Sequence, residues 1–164
     1  WPRHGCAGCT PTWPPTTGSP VSDLPTELSL ADAVEQIDAW LAALAHGNPA
    51  ITAVDRAAAG DLDADTRGGV ARWYVRMRGE EKEFTTVWLT LGQRTVRYET
   101  YVMPAPPENR AEVFEQALRR NERMVGAHFS IGIEDALFLR GEIPVSALTE
   151  AELDRIVGSL YAYV

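Results

Sequence analysis

At 164 residues, 45% hydrophobic and 23% charged, the chain has the length and composition of one globular unit with a buried core. A formal charge of −8 and a pI near 4.9 repel phosphate backbones and anionic lipid, so neither nucleic acid nor a membrane surface is an expected partner. No run approaches about 20 apolar residues and no charged start with an apolar h-region resembles a secretory leader, so a cytoplasmic protein is expected.

Trp1 to Pro20 mixes prolines, threonines and glycines without helical or strand period, and residues 1–22 are read as a disordered tail. His4, Cys6 and Cys9 offer three potential zinc ligands, but a structural zinc site needs four with a second cluster, and neither a haem nor a thioredoxin context surrounds them. No metal or cofactor is expected. Val21 opens a more domain-like stretch and GTG can start translation, so the native start is placed at or near Val21. A single domain is expected over 23–164.

From Ser29, a Ser-x-x-Asp capping box leads into Leu30, Val34, Ile37, Leu41 and Leu44, one apolar helix face, with Gly47 and Pro49 as the stop. Asp32, Glu35 and Asp38 are read as its solvated side. Ile51 to Asp55 reads as a short strand, followed by an acidic connection over Ala57 to Gly69. Arg72 to Pro106 then alternates as three antiparallel strands. Gly79 to Lys82 is the first turn and Gly92-Gln93 the second, in the Gly-x form of a II′ hairpin. Trp73, Val75, Leu89, Leu91 and Val96 fall on one face. Arg72, Tyr74, Arg76, Trp88, Arg97 and Tyr101 fall on the other with Glu99.

Pro107 is placed at the start of a second helix whose stripe is Phe114, Ala117, Leu118 and Val125, ended by Gly126. Asn121 lies on that stripe and is read as a tie to neighbouring backbone. His128 to Ile133 and Ala136 to Ile143 form a strand pair across Glu134-Asp135. Thr149-x-x-Glu152 caps a last helix carrying Leu153, Ile156, Val157 and Leu160. The fold class is α+β, an antiparallel sheet in the order α, three or four β, α, β, β, α.

Catalytic signals are sparse. Ser130 before Gly132 lacks a nucleophile elbow, and no P-loop, dinucleotide or His-Glu-x-x-His pattern occurs. Lone His128 reads as a packed or hydrogen-bonded strand histidine rather than a general base, and Glu134-Asp135 as turn residues rather than an acid dyad. No enzyme is expected, and no catalytic residue is assigned. Arginines and large aromatics together on a sheet face fit a protein partner, or else pair internally beneath a helix of the same domain. Binding of RNA there is opposed by the charge and by missing RNP motifs.

RWYVRMRGEEKEF, VWLTLGQRTVRYETYVMPAP and ALRRNERMVGAHFSIG resemble the actinobacterial branch of the YbjN family of bacterial sensory transduction regulators, over roughly Leu30 to Tyr161. The resemblance implies a type III secretion chaperone-like fold, cytoplasmic and commonly homodimeric, with no established reaction or cofactor. Trp73, Trp88, Gly92, Tyr98, Glu99, Pro104, Asn121 and Gly126 carry the pattern. A chaperone-like module for a protein or peptide partner is the leading expectation, with Phe114, Leu118 and Val125 as candidate dimer helix. The alternative is a small-ligand sensor or enzyme using a pocket between sheet and helices, with His128, Asn121 or Glu134.

Overall fold

The Ser29 side chain accepts the Asp32 N–H at 3.1 Å, as its capping box requires, and α1 (Leu30–Gly47) follows in a computed structural model that describes residues 29–58, 69–79 and 82–164. The tail with Cys6 and Cys9, the 22/23 boundary, most of the 57–69 connection and two residues of the first hairpin turn lie outside the described residues. Ala33, Ile37 and Leu41 are buried on α1, with Leu30, Val34 and Leu44 at the core's margin. The helix stops through Asn48 rather than through Gly47. Asn48 turns extended at φ −119° and its Oδ1 accepts the Ala50 N–H at 3.0 Å, drawing the chain into the first strand.

Six strands follow: β1 (Ile51–Arg56), β2 (Ala71–Arg78), β3 (Phe84–Leu91), β4 (Thr95–Met103), β5 (His128–Ile131) and β6 (Leu137–Pro144). They form one antiparallel sheet in the order β1-β2-β3-β4-β6-β5. With α2 (Arg110–Asn121) and α3 (Glu150–Tyr163), the architecture is the α+β class read from the sequence. Trp73, Val75, Met77, Val87, Leu89, Leu91, Val96 and Leu139 are all buried on one sheet face, against Ile37 and Leu41 of α1 and Leu153, Ile156 and Leu160 of α3. Each such side chain contributes about 1.5–3 kcal/mol by leaving water. Thr149 accepts the Glu152 N–H at 3.2 Å, the second capping box.

Asp38 is not solvated scenery. Its carboxylate accepts the indole N–H of Trp73 at 2.6 Å and pairs with Arg56, joining α1 to β2 and β1. The residue directly follows Ile37, at the border of the buried stripe, where a short acid reaches inward. The second hairpin turns on Gln93 and Arg94, one position later than the Gly92-Gln93 reading. Gly92 donates to the Thr95 carbonyl at 2.8 Å and has no left-handed φ, so it ends the ladder rather than forming a II′ turn.

The second helix begins at Arg110, not Pro107, because Asn109 at φ 51° turns the chain out of the proline run before the first helical bond, Val113 to Asn109, closes. It ends at Asn121, well before Gly126. The β5–β6 connection keeps Glu134-Asp135 at its tip, as read from the sequence, but the strands on either side are shorter. Glu134 and Asp135 both sit at φ 56°, and Ala136 N–H bonds the Ile133 carbonyl at 3.1 Å, the pattern of a type I′ turn. The strands accordingly stop at Ile131 and resume at Leu137.

Candidate functional site

The face opposite the core is built by register. Arg72, Thr90, Arg97 and Glu142 form one cross-strand row, and Tyr74, Trp88, Glu99, Arg140 and His128 form the next. Arg76 with Thr86, and Tyr101 with Phe138 and Ser130, continue it. All six residues of the sequence-based surface, Arg72, Tyr74, Arg76, Trp88, Arg97 and Tyr101, thus share one face. Among the described residues no helix lies across it: α1 and α3 pack on the core side and α2 runs beside β5. The reading in which a helix covers Trp88 and Tyr101 is therefore set aside there.

Aromatic rings organise the middle of this face. Phe138 stands edge-on to Tyr101, centroids 5.6 Å apart, and tilted to Trp88 at 6.1 Å. The Arg140 guanidinium lies 4.8 Å from the Phe138 ring centre while its Nε donates to Glu99 at 2.7 Å. Lys82 reaches the Val102 carbonyl beside Tyr101, and burial holds its ammonium below the usual lysine range. Two concavities flank the cluster. One of about 660 Å³ is lined by Phe84, Thr86, Trp88, Tyr101 and Lys82; the other, about 540 Å³, by Arg72, Arg97, Glu99, His128 and Arg140 beside the Gly132–Ile133 turn.

Asn121 does what its stripe position suggested. Its amide donates to the Phe129 carbonyl at 3.2 Å and accepts the Phe129 N–H at 2.6 Å, occupying the outer edge of β5 as a strand would. His128 departs from expectation: it is exposed at the rim of the smaller concavity, since β5 is the edge strand rather than an interior one. Glu134 and Asp135 stay in the exposed turn, where Asp135 pairs with Arg110 at 2.8 Å. Asn121, His128 and Glu134 therefore do not converge on one pocket. Among the described residues there is no cluster of three or more potential metal ligands, and no helix long and apolar enough to cross a membrane.

The candidate dimer helix is only partly buried. Ala117 is inside and Phe114 half-buried, but Leu118 is 66% exposed and Val125, beyond the helix end, 71%. Because α2 lies along a short edge strand, it has a partner for one narrow line of side chains, and Leu118 falls outside it. Sequence reasoning missed Phe138, Arg140 and Glu142 on the open face. Their alternation was visible, but which strand β6 would pair with was not.

Residues 50–160 match the family model YbjN, described as "Putative bacterial sensory transduction regulator". The chain belongs to the YbjN family. The matched residues take in the whole sheet, α2 and most of α3. This YbjN-family chain is 33% identical over 90 residues to uncharacterized proteins of Mycobacterium tuberculosis and Mycobacterium bovis, covering 55% of it and 49% of each relative. With one of Mycobacterium leprae it shares 27% over 92 residues, covering 56% and 50%. The chain spans about half the length of the curated relatives it matches, and all four are mycobacterial, in keeping with the actinobacterial branch.

Proposed function

We propose that this YbjN-family chain is a non-enzymatic, chaperone-like interaction and regulatory module of the cytoplasm, holding a protein or peptide partner on its open sheet face. The uncovered row of Tyr74, Trp88, Glu99 and Arg140, bordered by Arg72, Arg76 and Arg97, carries the reading. Tryptophan, tyrosine and arginine are the side chains that dominate binding energy at protein interfaces, and here they are concentrated where no helix among the described residues covers them. The enzyme alternative needs a reacting constellation, and its named residues lie apart. Affinity capture with wild type, Trp88→Ala and Arg76→Glu tests the face. Both variants should lose a common partner, with Trp88→Ala weakening it about thirtyfold once it is purified; identical partners at identical strength would remove this surface.

Homodimerisation is assigned to the exposed apolar side of α2 and the following turns, where Leu118 and Val125 stand near 70% exposed alongside Ile131 and Ile133. Light scattering should return twice the chain mass for wild type and a monomer for Leu118→Glu, because a charge buried in an apolar interface lacks a partner. A wild-type monomer would end the assignment.

A further inference from the structure

The smaller concavity has a chemistry of its own. Its floor is the β2–β4–β6 part of the open face, and its wall is the turn after β5. Gly132 makes that wall possible: a Cβ there would stand 2.5 Å from the Phe138 ring and 3.1 Å from an Arg140 terminal nitrogen, so only glycine lets the rim settle onto the floor. The half-open space of about 540 Å³ is within the range of small-molecule sites.

Three arginines and two glutamates line it, and they are not equally committed. Arg140 is bound to Glu99 at 2.7 Å. Arg72 spends its Nε on the Thr90 hydroxyl at 3.0 Å, and neither Arg72 nor Arg97 is in an ion pair among the described residues. Glu142 is the cross-strand neighbour of Arg97 and lines the same space, yet it forms no ion pair either. Arg72 and Arg97 flank the small Thr90, two strand spacings or roughly 10 Å apart at the backbone. Across the same concavity, on β5, the Ser130 hydroxyl is the one buried side-chain polar atom without a hydrogen-bond partner among the described residues.

We infer that this concavity binds a small organic anion, whose carboxylate or phosphate group is held between the guanidinium groups of Arg72 and Arg97. Guanidinium forks match both oxyanions, and both side chains line the same concavity, where a ligand group can reach them. The chain's charge of −8 selects for size: a polyanion meets the field of the whole molecule, whereas a small ligand inside a screening length meets chiefly the local arginines. The inference does not depend on the protein-partner reading.

Titration of the full 164-residue chain with citrate, inorganic phosphate and AMP, followed by calorimetry against sodium chloride of equal ionic strength, tests it. At least one should bind saturably with Kd near or below about 1 mM. Arg97→Gln should weaken that binding about tenfold, Arg97→Lys less, and Arg119→Gln on α2 should leave it unchanged. Citrate alone binding identifies a carboxylate site; phosphate or AMP binding identifies a phosphoryl site. No saturable heat beyond the chloride control, or equal affinity for wild type and a folded Arg97→Gln, would overturn the inference. Neither result bears on the partners captured through Trp88.

Discussion

Gly141→Ala is expected to destabilise the fold by about 3 kcal/mol, at the upper end for overpacking a well-filled core. A Cβ at Gly141 would lie 2.2 Å from the Tyr98 ring and 2.3 Å from the Gly126 carbonyl oxygen. Neither obstacle can step aside cheaply. Tyr98 is buried on the core face and paired across from Gly141 in the β4–β6 ladder, while its hydroxyl donates to the Gly126 carbonyl. Burial pushes that hydroxyl's pKa up, with Arg155 opposing the shift, and Arg155 is itself forked onto Glu152 of α3 at 2.5 and 2.8 Å. The ring therefore clamps the turn after α2 to the sheet beside α3, and displacing it loosens three elements together. Urea denaturation followed by circular dichroism measures the loss. Gly158→Ala supplies the contrast: an added Cβ meets nothing within 4 Å in the middle of α3, so stability should rise by roughly 0.5–1 kcal/mol. Equal effects of the two substitutions would refute the packing argument.

Trp73→Ala should cost about 3–5 kcal/mol, the range for deleting a large buried aromatic. Trp73 is 1% exposed and the largest fully buried side chain among the described residues. It also supplies the N–H that Asp38 accepts, so the loss has a packing part and a polar part. Trp73→Phe separates them. It keeps most of the volume and removes the donor, and should cost about 1–2 kcal/mol. Asp38→Ala combined with Trp73→Phe should then be less than additive, since each single change removes one partner of the same hydrogen bond. Strict additivity would show that the Asp38–Trp73 bond contributes nothing to stability.

The open face is half legible in the sequence. Alternation along Arg72 to Met77 and Val87 to Leu91 separates buried from outward positions, because successive strand side chains point to opposite sides. It identified Trp73 as core and Trp88 as surface, and it identified Asn121 as a backbone tie through its place on the α2 stripe. Alternation does not say which strands are neighbours. That Phe138 and Arg140 join Trp88 and Tyr101 follows only from β6 pairing with β4, a contact between segments about 40 residues apart that no local signal encodes. The same choice leaves β5 at the edge, which exposes His128 and gives Asn121 its unpaired strand to bind.

Boundaries and partial exposures were lost for a related reason. The apolar spacing of Phe114, Ala117 and Leu118 reads as one stripe, but a helix docked on a four-residue edge strand finds cover for only part of it. Asp38 looked solvated because its helix position is marginal, and marginal positions are decided by what comes to meet them. The sequence by itself determined the class and order of elements, the N-caps of α1 and α3 and the two sides of the sheet, all of which rest on interactions within a few residues. The tertiary structure decided strand order, the clamp at Tyr98 and the meeting of Arg72, Arg97 and Arg140 around one concavity, because those depend on which distant segments pair.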